Sequence, residues 1–130
     1  MEETNLLTNV EEKRSWEEAL EKESWVAPLI DIYETNDDYF IVANMPGVSK
    51  EDVKIKVEDG DLVIMGRINF SDVLNKKYLL KEIDPSNYYR KFKLSDSINE
   101  EKIVATLENG RLQINLPKLE RVKPRTIEIN

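Results

Sequence analysis

The stretch LENGRLQINLPK, residues 107 to 118, decides the fold. Leu112, Ile114 and Leu116 alternate with Arg111, Gln113 and Asn115. That period of two puts one set on a buried face and the other toward water, which is a strand half in a core. Asn109-Gly110 stands just before it, and Asn-Gly supplies the positive φ that a type I′ turn needs at both central positions. KIVATLE (102–108) on the other side of the turn is the returning arm. Pro117 stops the run, because a strand interior needs the N–H that proline lacks.

Working outward, the same signals recur. Asp59-Gly60 joins the clean alternation of Val53, Ile55 and Val57 to LVIMGR (62–67), a second tight hairpin. Pro46-Gly47 fits the centre of a type II turn. Before it, Tyr39, Ile41, Ala43 and Met45 alternate with Phe40, Val42 and Asn44; both sets are fairly apolar, as in a strand with little free surface. LIDIYE (29–34), YLLKEI (78–83) and the alternation from Tyr88 to Leu94 complete about eight short strands. No long helix is expected after residue 27. Many short strands joined by tight turns predict an all-β chain, an immunoglobulin-like antiparallel β-sandwich.

Composition narrows the function. The chain has 130 residues, a formal net charge of −7, no cysteine and no histidine. An acidic surface repels phosphate backbones, so neither nucleic acid nor an anionic membrane is an expected partner. Without histidine there is no imidazole base and no Ser-His-Asp or Cys-His catalysis; without either residue the usual zinc sites are gone. The adjacent pairs Asp37-Asp38, Glu51-Asp52 and Glu100-Glu101 are expected to lie in turns and read as solvated charges rather than as a calcium site or paired catalytic carboxylates. No enzyme activity, metal or cofactor is expected. The start of the chain has no signal-peptide pattern and no stretch approaches the ~20 apolar residues of a membrane span, so the expected location is cytoplasmic.

The two ends differ from the middle. Residues 1–27 are charged, with Thr8 and Asn9 as N-caps and Trp16, Ala19 and Leu20 on one helical face. They read either as a charged tail without fixed structure or as a short amphipathic arm; Trp16 and Trp25 favour an arm that packs on something apolar. Residues 28–118 hold the sandwich. Residues 119–130 leave it as an extended tail that ends in Ile127-Glu128-Ile129-Asn130. In an extended segment Ile127 and Ile129 point the same way. A solvated tail gains nothing from that; a tail that docks does.

Together these residues resemble the small heat shock proteins, the α-crystallin family. PLIDIYET resembles the family's opening strand, YFIVANMPGVSKEDVKIKVEDGDLVIMGR its central block, and Tyr88 to Leu94 its F-x-R-x-F-x-L strand. ATLENGRL (105–112) resembles A-x-x-x-x-G-V-L, and Ile127-Glu128-Ile129 resembles the terminal I-x-I. Arg111 stands where that pattern has valine, Ser95 where it often has proline, and Ser86-Asn87 where it has a glycine. The N-terminal arm is short for the family.

The resemblance implies an α-crystallin domain that dimerises, assembles into larger homo-oligomers and holds unfolding client proteins without ATP. It implies a homodimer made by strand exchange, with Tyr78, Leu79, Leu80 and Glu82 in the exchanged strand. Arg90 would lie at that interface, paired with Glu82 or with partner carbonyls, or else run past Phe92 to the surface. The tail motif, Ile127 and Ile129, would dock in a groove of another dimer lined by Val53, Ile55 and Val57 on one side and Ile103, Ala105 and Leu107 on the other, unless it caps its own sandwich. Leu6, Leu7, Trp16, Leu20 and Trp25 would touch clients or pack between subunits. The competing reading is a non-oligomeric adaptor or co-chaperone on the same sandwich, which has no need of the tail motif.

Overall fold

The computed structural model describes residues 16–68 and 86–130. A helix, α1, covers residues 16–22. Eight strands follow: β1 (Trp25–Val26), β2 (Leu29–Glu34), β3 (Asp38–Asn44), β4 (Val48–Glu58), β5 (Asp61–Ile68), β6 (Asn87–Lys93), β7 (Val104–Glu108) and β8 (Arg111–Pro117). They form two four-stranded sheets, in the orders β1-β6-β5-β4 and β2-β3-β8-β7. All pairings are antiparallel except β1 with β6.

The turns carry the backbone conformations that their residues call for. Asp59 and Gly60 have φ of 51° and 79°, Asn109 and Gly110 of 51° and 74°, the signature of type I′ hairpins. Gly47 has φ of 87°, as the second central residue of a type II turn requires. Leu112 pairs with Leu107 and Ala43, and Ile114 with Ala105 and Ile41, so the alternation in 111–116 aims one row into the sandwich. That row meets Leu62, Ile64 and Ile68 from the facing sheet, with Met45 and Val48 closing one end.

Two elements depart from the sequence reading. β4 begins at Val48, directly after the Pro46-Gly47 turn, and a register shift between Val48 and Val53 absorbs the extra residues. Bulges of this kind bend a strand and increase its twist. The alternation at 53–57 does not extend back through Lys50-Glu51-Asp52, so the first half of β4 was invisible to it. Trp25–Val26, read as arm, is a short strand on the edge of β6. The expected strand 78–83 lies outside the described residues.

β3 has apolar residues on both faces, and Ile41, Val42 and Ala43 are all buried. The outer face of its sheet is polar where Arg111 replaces valine: Asn44, Arg111 and Glu108 stand side by side across three strands. They line an open polar depression of about 470 Å³ with Thr106, Asn109 and Gln113.

Candidate functional site

The predicted docking surface lies along one side of the sandwich. β4 and β7 are the edge strands of their sheets and pack against each other. Val53, Ile55 and Val57 pair with Gly66, Ile64 and Leu62, and Ala105 and Leu107 with Ile114 and Leu112. All five therefore point into the space between the sheets. Val53, Ile55, Ile103 and Leu107 pack on the core, yet inward-facing Val57 is 39% exposed and Ala105 is exposed as well. Four of the six predicted groove residues thus pack on one core cluster, and Val57 and Ala105 lie exposed on the same two strands.

The tail begins at the opposite pole of β8 from the hairpin turn, and its root is pinned. The Lys118 and Leu119 N–H groups donate to the carbonyls of Asp37 and Ser97, each at 2.8 Å, and Arg121 Nη2 donates to the Asp96 carbonyl at 3.3 Å. Lys118 Nζ donates to Glu34 Oε1 and to the Thr35 carbonyl, both at 2.8 Å, and lies 4.8 Å from the centre of the Tyr39 ring. A single 3₁₀ turn follows at Glu120–Val122. The tail is extended only after that turn. Ile127 and Ile129 are 75% and 97% exposed.

The root carries a pH dependence. The hydrogen bond from Lys118, then one from Tyr39, holds the Glu34 carboxyl below the usual carboxylate range. A carboxyl whose folded value lies below its unfolded value of about 4.3 stabilises the fold above that pH. The contribution is lost as pH falls through the lower folded value. Glu34 should thus titrate below the ordinary glutamate range in an NMR carboxyl titration. Lys118→Met should return it toward the ordinary value; an unchanged titration would show that the pair does not hold the root.

The arm is attached at the other sheet. Asn87 is fully buried on β6. Its Oδ1 accepts the Ile68 N–H at 3.0 Å, and its Nδ2 donates to Glu23 Oε1 at 2.8 Å. Glu23 Oε2 accepts from Arg67 Nη2 at 2.7 Å, and the Arg67 guanidinium lies 5.7 Å from the centre of the Trp16 ring. The Asn87 N–H donates to the Ser24 carbonyl, and Trp25 Nε1 donates back to the Ala19 carbonyl. One buried amide thus ties β5, β6 and the end of α1. Asn87→Ala leaves the Ile68 N–H and one Glu23 oxygen without that partner, and a loss of about 2 kcal/mol is expected in urea unfolding. Glu23→Gln, which keeps an acceptor for Asn87, should lose less. Equal losses would mean the ion pair with Arg67 dominates.

Sequence reading missed Asn87, Glu23 and Arg67. Asn87 stood out only as a departure from the family pattern, and its partner Glu23 lies 64 residues away. Of the proposed client residues, Leu20 and Trp25 flank a shallow apolar hollow of about 390 Å³ with Val26, Ala27 and Tyr89. Trp16 is half-buried on Arg67, and Leu6 and Leu7 fall outside the described residues. Arg90 is exposed on β6, its guanidinium 5.0 Å from the Phe92 ring centre, on the stretch that β1 leaves uncovered. Tyr78, Leu79, Leu80 and Glu82 are outside the described residues.

Residues 31–130 match the model of the Hsp20/alpha crystallin family. This chain is a member of that family. Its small heat shock protein relatives include a probable 15 kDa heat shock protein of Leptospira interrogans, 34% identical over 94 residues, covering 72% of this chain and 71% of that one. A 16.9 kDa class I heat shock protein of Oryza sativa is 38% identical over 105 residues, covering 78% and 70%. Among solved structures, a small heat shock protein from Xylella fastidiosa superposes with a TM-score of 0.64 at 28% identity, covering 81% of this chain and 97% of that one. Heat shock protein 16.0 of Schizosaccharomyces pombe gives 0.62 at 28% identity, covering 81% and 76%. The two sheets are therefore the α-crystallin β-sandwich, and the family is one of chaperones rather than enzymes. Among the described residues no helix is long and apolar enough to cross a membrane, and no cluster of acidic side chains is arranged to hold a metal.

Proposed function

We propose that this small heat shock protein is an ATP-independent holdase of the cytoplasm, built as an oligomer of dimers through its tail. The observation that carries the reading is the pairing of inward-facing apolar side chains on the adjoining edge strands β4 and β7, Val57 among them partly exposed, with two exposed isoleucines on a pinned tail. Burying one isoleucine contributes ~1.5–3 kcal/mol, and ordering the tail takes back part of that. One docked tail is weak; several per particle hold by avidity while each exchanges. Such a particle opens without nucleotide and uncovers apolar surface for unfolding chains.

The dimer is proposed to form by strand exchange. β2 is an edge strand among the described residues, and Leu29, Ile32 and Tyr33 on it are 78%, 59% and 52% exposed. A long apolar edge of this kind invites pairing. Residues 78–83 of a second copy are the proposed occupant, with Tyr78, Leu79, Leu80 and Glu82 at the contact and Arg90 beside it. Leu6, Leu7, Trp16, Leu20 and Trp25 are the proposed client contacts. The test is suppression of client aggregation in the absence of ATP, together with native mass by light scattering. A monomer without suppression would return the chain to the adaptor reading.

A further inference from the structure

We propose that the outer face of the β1-β6-β5-β4 sheet is the docking face for the chain's own acidic N-terminal arm, held there largely by charge. The inference concerns where the arm sits and does not depend on the holdase reading. It starts from an asymmetry in the sequence. Residues 1–27 hold eight glutamates against three basic residues, a net of −5 out of the whole chain's −7. The sandwich and tail together are close to neutral.

The face that meets the arm has the opposite sign. Cross-strand pairing aligns Lys54 with Met65 and Tyr89, Lys56 with Val63 and Lys91, and Glu58 with Asp61 and Lys93. All point away from the core, as does Arg67. Five cations therefore face three carboxylates, Asp52 standing before Lys54 on the same face of β4. Lys56 pairs with Glu58 at 3.0 Å and Lys91 with Asp61 at 3.4 Å, which occupies two of the three. Lys54 and Lys93 are exposed and have no ion pair among the described residues. In the middle of this outward face Val63 and Met65 are only 5% and 3% exposed, so an apolar centre shielded from water lies among exposed lysines.

The arm is already seated at one end of it. Glu23 is fixed to Arg67 and Asn87, Trp16 lies on Arg67, and Ala19 of α1 is 1% exposed. Glu17, Glu18 and Glu21 remain exposed, so they act through the summed field rather than as contact pairs. Attraction at that range is screened within a Debye length of about 10 Å at 0.1 M salt. The hydrogen bonds of Asn87 are not. The arm should therefore be closed at low salt and hinge open about its Asn87 anchor as salt rises.

The chain's two tryptophans, Trp16 and Trp25, both lie in the arm, so intrinsic fluorescence of the intact protein reports on it directly. Sodium chloride raised from about 0.01 M to about 1 M shortens the Debye length from about 30 Å to about 3 Å. The expected result is a red shift and about a twofold rise in acrylamide quenching as the field is screened. The variant K54E/K56E/K91E/K93E should be quenched as strongly at low salt, and added salt should partly reverse this. K102E, on the other sheet's side of the molecule, is the charge control. Emission indifferent to salt and to the reversals would overturn the proposal, as would K102E moving it equally. If the fourfold variant loses its β circular dichroism, K54E/K93E and the salt series on the unaltered chain decide by the same criteria.

Discussion

Replacing Ile127 and Ile129 together by serine is expected to reduce the native mass from that of a large particle to about 30 kDa, two copies of the 15.2 kDa chain. Nothing in the fold depends on these side chains, since both are exposed on their own subunit. Thermal unfolding of the sandwich should be nearly unchanged, within the ±0.5 kcal/mol typical of surface substitutions. The loss comes from docking alone: each isoleucine gives up ~1.5–3 kcal/mol of burial, and the effect multiplies over every tail in the particle. A groove substitution should reproduce it. Ala105→Glu places a charge on the proposed docking surface, with little effect on a sandwich in which Ala105 is already exposed. If the serine variant keeps its mass while Ala105→Glu loses it, the groove takes some other segment. If both keep their mass, assembly does not run through the tail.

Gly66→Val should cost about 3 kcal/mol, the upper end for overpacking a well-filled core. Gly66 lies in β5 where the bulge of β4 crosses it. A Cβ there would stand 2.9 Å from Met45 Sδ and 3.3 Å from both methyls of Val48. Met45 is fully buried and Val48 nearly so, so neither can swing into solvent. Alanine needs a few tenths of an ångström from these neighbours and should lose less, near 1 kcal/mol. Valine adds two methyls to the same space. Urea unfolding in the background of the Ile127 and Ile129 double serine variant gives the comparison with tail docking removed. A valine variant as stable as the parent would mean the bulge relaxes, and the close approach of Met45 would not be a constraint on β5.

Much of the sandwich was legible because its determinants are local. Asp59-Gly60 and Asn109-Gly110 specify their turns within two residues, and the alternations at 53–57 and 111–116 specify faces within one strand. The adjacency of β4 and β7 followed less directly, since it depends on how the two sheets stack and not on either strand's own pattern. The clamp of Asn87, Glu23 and Arg67 was not legible. Its members are separated by 44 and 64 residues, and none belongs to a periodic pattern. A buried polar residue looks like any loop asparagine until its partners are known. The root at Lys118 was hidden for the same reason: Glu34, Thr35 and Tyr39 are more than 75 residues upstream. The parallel pairing of Trp25–Val26 with β6 is two residues long, too short for any periodicity to register.

The pinned root sets a length. With the chain held through Lys123, only Pro124 to Ile129 are free to span the gap to a neighbour. Six extended residues cover about 20 Å at most, and Pro124 stiffens the first of them. The tail is therefore a short ruler rather than a loose tether. If the tail docks as proposed, neighbouring subunits must hold its docking surface inside that radius, which favours a narrow set of spacings and so a particle of defined size. Within that radius the local concentration of the motif is millimolar or above, so a released tail finds a groove again before the subunit drifts away. Inserting a flexible Gly-Ser segment after Lys123 would lengthen the ruler and broaden the distribution of particle sizes without touching either binding surface.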